Sequence, residues 1–417
     1  MAHFWLRLQT GTWLTAERVR GYSLILLGFY ALAIVIWIAS SHGLIDPNGK
    51  PLGTDFSSFY AAGSMALEGH AAAVYDMAAH YARQQQIFGA GVPYYAWFYP
   101  PLFLLVAAPL ALLPYPVALA VWQIATLALY LGVIGAILRS ARQSHPLLDR
   151  VWLFPALAFP AGFINLGHGQ NGFLTASLFG AALLTLTTRP AVAGLLFGCL
   201  AYKPQFALVI PVALLAAGRW RTIAAATVTV IVLAAVTSLA FGIDIWPAFI
   251  ASTEASRRLL LEQGAVGFGK LQSVFAAVRM LGCGITAAYI AQGAVSIAAI
   301  CSVAWIWRGA RDRDVMAAAL TIAALLASPH TLDYDLLIVA PAIAFMTCAG
   351  LARGFRTFEI TMLAAVWVTP LLARTVAEAT DLPLGLAALM TFFVVILQRA
   401  ATDREGLIPA ASRTAHA

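Results

Sequence analysis

Apolar runs recur from Tyr22 to Leu397 with few gaps between them. Runs of this length and spacing belong to helices that cross a bilayer, so the sequence predicts an all-α polytopic membrane protein folded as one integrated bundle. Charged residues make up 10% of the 417, against about 25% in water-soluble domains. That deficit excludes a soluble enzyme. The spread of the runs along the chain also excludes a soluble domain held by a single anchor.

The net charge of +7 does not point to nucleic acid. Arginines sit in short clusters between apolar runs, the pattern that marks cytoplasmic loops, and no nucleic-acid partner is expected. The cysteines, Cys199, Cys283, Cys301 and Cys348, include no close pair with ligand spacing, which predicts neither a disulfide framework nor a zinc site. Arg7, Arg18 and Arg20 near the start accompany no compact apolar core with a small-residue cleavage site, so no cleaved leader is expected.

At about 1.5 Å per residue, roughly 20 helical residues cross a hydrocarbon core about 30 Å thick. The runs read as twelve spans, some shorter than that: 22–40, 117–138, 151–166, 172–188, 191–202, 204–217, 222–241, 286–307, 315–328, 335–350, 359–375 and 384–398. With the N-terminus inside, the inner connections hold Arg139, Arg142 and Arg150, then Arg189, then Arg219 and Arg221, then Arg308, Arg311 and Arg313, then Arg353 and Arg356. A cytosolic tail, 399–417, adds Arg399, Arg404 and Arg413. Cations in short loops favour that side. Asp46, Asp55, Glu68, Asp76, Glu378 and Asp381 fall outside.

This topology requires the run 101–113, interrupted by Pro109, to lie at the outer face without crossing. Residues 1–398 then form a single membrane domain with two long outer loops, 41–116 and 242–285, and both termini are cytoplasmic. Aromatic stretches at 56–60 and 94–99 suit helices lying among headgroups. The second loop departs from the charge pattern with Arg257, Arg258, Lys270 and Arg279.

Five polar constellations collect on the outer side. Asp55 heads the aromatic stretch that runs to Tyr60. A carboxylate in so apolar a setting gains proton affinity and suits a general base, while the same residue also suits a helix N-cap. Tyr99-Pro100-Pro101 reads as a helix entrance. The glycine-rich turn from Asn165 to Gly172 presents His168, Gln170 and Asn171, whose donors and acceptors match sugar hydroxyls or a phosphate. Lys203, one of three lysines with Lys50 and Lys270, stands beside Pro204 inside the apolar stretch 191–217. A cation there fits a lipid phosphate in a cavity, or snorkels to the interface. Ser328 to Asp335 sets His330 beside Asp333 and Asp335, as a cavity wall, metal ligands or helix caps. That all five share one predicted face supports a cavity opening outward.

These motifs resemble glycosyltransferase family 87, the polyprenol-phosphate-mannose-dependent α-mannosyltransferase-like proteins of the C-type superfamily. The similarity is carried by Asp55-Phe56 with Tyr60, Gly69 and Tyr75, by Tyr99-Pro100-Pro101-Leu102 with Pro109-Leu110, and by Gly169-Gln170-Asn171. Gly194 to Gly198 with Lys203-Pro204 and Arg219-Trp220-Arg221, then Ser328-Pro329 with Tyr334-Asp335, complete the series. The resemblance implies a C-type fold with a long first outer loop. It implies inverting transfer of a hexose, with mannose the name-giving sugar, or of a pentose, from a polyprenyl-phosphate donor. The acceptor is a glycolipid, polysaccharide or protein at the periplasmic face of a bacterial inner membrane.

On that basis Asp55 is the expected base, and Lys203 binds the leaving phosphate, with Arg257 or Arg258 as alternatives. His330 and Asp333 shape the pocket, and Tyr60, His168, Gln170, Asn171 and Asp335 complete the substrate-binding set. The lipid-linked sugar is a substrate, so no cofactor and no metal are expected. A multi-pass transporter or flippase is the competing reading, since it too combines many spans with a broken helix. The lack of a repeat relating the two halves, and polar loops gathered on one face, weigh against it.

Overall fold

The computed structural model describes residues 2–309 and 312–405. Within them the chain is helical, with isolated bridge contacts and no strand. Seven described helices are long and apolar enough to cross a membrane: Ala16–Ala39, Tyr115–Ile137, Trp220–Phe241, Ile285–Gly309, Asp333–Arg353, Glu359–Thr380 and Leu384–Asp403. Each of the twelve expected runs contains helix, but the others are cut short. Gly172–Thr185, at 14 residues, reaches about 21 Å. Lys203 and Pro204 divide Pro190–Tyr202 from Pro204–Ala216, because a proline removes a helical donor and clashes with the preceding turn. The run 101–113 is helical over Pro101–Ala111, too short to cross as a helix.

The core is built on Arg313–Ala327, in which every residue from Val315 to Ala327 is buried. Ile285–Gly309, Val339–Arg353 and Leu384–Glu405 surround it. Lipid tails offer no hydrophobic drive between helices, so close backbone approach must supply the attraction. Gly194 and Gly198 do this between Pro190–Cys199 and Trp220–Phe241: a Cβ at Gly194 would stand 2.4 Å from the Thr222 carbonyl oxygen, and one at Gly198 2.6 Å from Thr229 Cβ. The other side of Trp220–Phe241 exposes Val228, Ile231, Val232 and Leu239, a face suited to lipid.

Two expectations change. The aromatic stretches of the first long loop do not lie on a surface: Phe56, Phe59 and Trp97 are buried in one cluster with Phe103, Tyr115 and Trp122. Residues 94–99 are not helical. Their backbone is held instead by Gln84, whose Oε1 accepts from the Tyr95 N–H at 3.0 Å and whose Nε2 donates to the Tyr95 carbonyl at 2.5 Å. Arg399, assigned to a tail, lies within Leu384–Glu405 and is buried in a 2.6 Å ion pair with Glu359. Arg311 and the tail from residue 406, with Arg413, lie outside the described residues.

Candidate active site

Asp55 stands one residue inside the helix Thr54–Leu67, whose N-cap position is Gly53, with φ of 71°. Its carboxylate therefore does not cap the helix, although the first turn favours its charge. Gln170 Nε2 donates to Asp55 Oδ2 at 3.0 Å. The amide cannot reverse, because Gln170 Oε1 already accepts from the Tyr99 hydroxyl at 3.1 Å and from the Asn171 N–H at 2.9 Å. His168 Nδ1 lies 2.8 Å from Thr54 Oγ1 and 4.0 Å from Asp55 Oδ2. Asn171 is fully buried beside the Tyr99 hydroxyl, and neither polar atom of its side chain makes a well-formed hydrogen bond. An amide left so costs free energy until something bonds to it.

Burial alone would raise the proton affinity of Asp55, as its setting in the sequence suggested. It is outweighed by the charge of Lys270, by His168, by the Gln170 hydrogen bond and by Lys203, which together hold the carboxyl below the usual aspartate range. Of these, His168 carries no charge near neutrality, since burial pushes its pKa down to about 4. Lys270 is the standing positive charge. It is 9% exposed, its Nζ lies 5.4 Å from the Tyr334 ring centroid, and it has no carboxylate partner among the described residues.

Lys203 is placed differently. Its Nζ donates to Asp335 Oδ1 at 2.6 Å, with the two side chains 3% and 1% exposed. Asp335 Oδ2 also accepts from the Leu332 N–H at 3.0 Å, so this carboxylate caps its helix and neutralises Lys203 together. Snorkelling is not what Lys203 does. Asp333 Oδ1 accepts from the Tyr334 N–H at 2.9 Å, and Arg374 approaches its other oxygen at 3.8 Å.

The second long loop reaches this cluster where Leu271 packs on Leu332 and the Gln272 N–H donates to the Thr331 carbonyl at 2.7 Å. That places Lys270 and His330 on touching segments. Arg257 and Arg258 pair on their own segment with Glu262 and Glu254, and no interaction ties them to Asp55. Tyr60 donates to the Leu113 carbonyl at 2.8 Å, which anchors the end of the run 101–113. Among the described residues no three His, Cys, Asp or Glu side chains converge as metal ligands. Sequence reasoning gave no role to Lys270, Tyr99 or Arg374; the rarity of lysine was the signal available for the first.

Histidine burial has a measurable consequence. His80 is fully buried; its Nδ1 accepts from Gln84 Nε2 at 3.3 Å, leaving Nε2–H to donate to the Ser58 carbonyl at 3.2 Å. Burial pushes its pKa down to about 4. Its contribution to stability is therefore complete above the unfolded value near 6.5 and is lost as pH falls toward 4, by about 2 kcal/mol at pH 5. Unfolding temperatures in detergent should drop between pH 7 and pH 5, and His80→Gln should flatten that slope; an equal slope in the variant would exclude His80 as a source.

A family model, Glycosyltransferase family 87, matches residues 97–329, more than half of the chain. The chain belongs to glycosyltransferase family 87. Neither the curated proteins nor the solved structures gave a match. The family 87 segment holds Tyr99, His168, Gln170, Asn171, Lys203 and Lys270. Asp55, Asp333 and Asp335 lie outside its bounds; Asp55 is joined to it through Gln170 and Asp335 through Lys203.

Proposed function

We propose that this membrane glycosyltransferase has the C-type fold, with short helices completing twelve passes, and moves a sugar from a polyprenyl-phosphate donor to an acceptor hydroxyl with inversion. Its site faces the periplasm of a bacterial inner membrane, and both termini are cytoplasmic. The sugar is a hexose such as mannose, or a pentose; the acceptor is a glycolipid, polysaccharide or protein. The observation that carries the reading is Asp55, oriented by Gln170, in the field of a buried lysine that makes no direct ion pair among the described residues.

In the proposed reaction the acceptor oxygen attacks the anomeric carbon from the face opposite the phosphate. The bond between that carbon and the phosphate oxygen breaks with its electron pair going to the phosphate, and the acceptor proton passes to Asp55. A carboxylate of lowered proton affinity is a weak base, so proton transfer comes late, when bond formation has already acidified the oxygen. Lys270 offsets the negative charge that grows on the departing phosphate. Asn171, His168, His330 and Asp333 are available to sugar hydroxyls.

Purified protein given radiolabelled polyprenyl-phosphate mannose, glucose or arabinose is expected to transfer label to an acceptor extract and release polyprenyl phosphate. Failure with every such donor, together with solute or lipid-linked sugar accumulating in reconstituted vesicles, would select the transporter reading instead.

A further inference from the structure

Three helical segments that hold the site on one side also frame a cleft at their other ends. Gly172–Thr185 begins beside Gln170, the segment from Pro204 to Ala216 begins at Lys203, and Arg313–Ala327 leads into Ser328 to Asp335. The 14-residue Gly172–Thr185 helix puts its far end about 21 Å from Gln170. Leu186, Thr187, Arg219, Trp307, Arg313 and Met316 line a narrow, solvent-open cleft there of about 20 Å³, and no acidic side chain lines it.

Arg313 Nη1 donates to Thr187 Oγ1 at 2.8 Å. Arg219 Nε is buried without a hydrogen-bond partner, and neither guanidinium has an ion pair among the described residues. Neither nearby acid pairs with them directly: Asp312 is paired with Arg353 and caps its own helix, and Asp314, next to Arg313 in the chain, feels its charge without an ion pair. Two guanidiniums at one cleft repel each other unless an anion joins them, and their forked donors match phosphate oxygens. The same cleft adjoins the starting end of Trp220–Phe241 and the finishing end of Ile285–Gly309, both long enough to cross a membrane. Trp220, 64% exposed at that level, is the residue type favoured where headgroups meet hydrocarbon.

We infer that this cleft binds the phosphate of an anionic phospholipid headgroup, on the membrane face opposite Asp55. The two arginines and Thr187 hold the phosphate oxygens at the cleft mouth, and the buried Leu186, Met316 and Trp307 form its floor. The inference does not rest on sugar transfer.

Native mass spectrometry of the delipidated full chain with added phosphatidylglycerol is expected to show one strongly retained lipid. Arg219→Gln with Arg313→Gln should weaken that retention about thirtyfold, the effect of two interfacial cations. Arg219→Lys with Arg313→Lys should keep most of it. Phosphatidylcholine, whose ammonium offsets its phosphate, should be retained less, and excess inorganic phosphate should not displace phosphatidylglycerol. Equal retention by the double glutamine variant would overturn the site, and displacement by inorganic phosphate would overturn the lipid as occupant. Should that variant not fold, a photoactivatable phosphatidylglycerol on the unaltered protein decides: adducts within 183–187, 307–309 or 312–317 support the site, and adducts confined elsewhere remove it.

Discussion

Replacing Asp55 by asparagine is expected to lower sugar transfer about a thousandfold, the scale of a lost general base, while the protein still elutes as a folded species. Asparagine keeps the shape of the side chain and can still accept the Gln170 Nε2 hydrogen bond now seen at 3.0 Å, so the geometry survives and the proton acceptor does not. Donor affinity should change little, because the carboxylate receives the acceptor proton and does not hold the phosphate. The pH profile adds an independent check. Since Asp55 is held below the usual aspartate range and His168 is already neutral above about pH 4, neither group should contribute an acid limb between about pH 5 and 7. Initial rates with radiolabelled donor settle both points. A loss smaller than about tenfold in the Asp55→Asn protein, or an acid limb near pH 6 that persists in an Asp333→Asn protein, would take Asp55 out of the role of base as described.

The second large effect separates the two buried lysines. Lys203→Met strands Asp335, 1% exposed, as an uncompensated buried charge, and breaking such a pair destabilises by about 3–5 kcal/mol. Lys203→Met with Asp335→Asn removes both charges and should recover most of that loss. Lys270→Met breaks no direct ion pair, though it removes a charge that Asp55 and Asp333 both feel, so it should cost the fold less than Lys203→Met and weaken donor binding about tenfold to a hundredfold, the worth of a charge-assisted phosphate contact. Thermal unfolding in detergent and equilibrium donor binding read the two axes separately. A stable Lys203→Met protein that has lost donor affinity, beside normal binding by Lys270→Met, would transfer the phosphate role back to Lys203.

Much of the candidate site was visible as residue types in order along the chain. His168, Gln170 and Asn171 stood out because a glycine-rich turn among apolar runs carries more polar groups than a connection requires. Asp55 stood out as a carboxylate ahead of a strongly aromatic stretch. Which way its proton affinity moves was not visible, because burial and charge act in opposite directions there and the deciding charge comes from Lys270 in another loop. Lys203 was conspicuous for the same reason that made its role ambiguous: a membrane-depth lysine must be compensated, and the sequence does not say by what. Arg257 and Arg258 looked like candidates from loop position alone, and they pair instead with acids one turn away.

Composition and the order of short motifs were enough by themselves for an all-helical membrane chain of glycosyltransferase family 87, since apolar length and motif series are properties of a string. Seven long helices among the described residues, the inward packing of the aromatic loop, the closure of Lys203 on Asp335 and the freedom of Lys270 were decided only by the tertiary structure. Each depends on which groups from distant segments meet in a low-dielectric interior, where a single pairing changes what a charge can do.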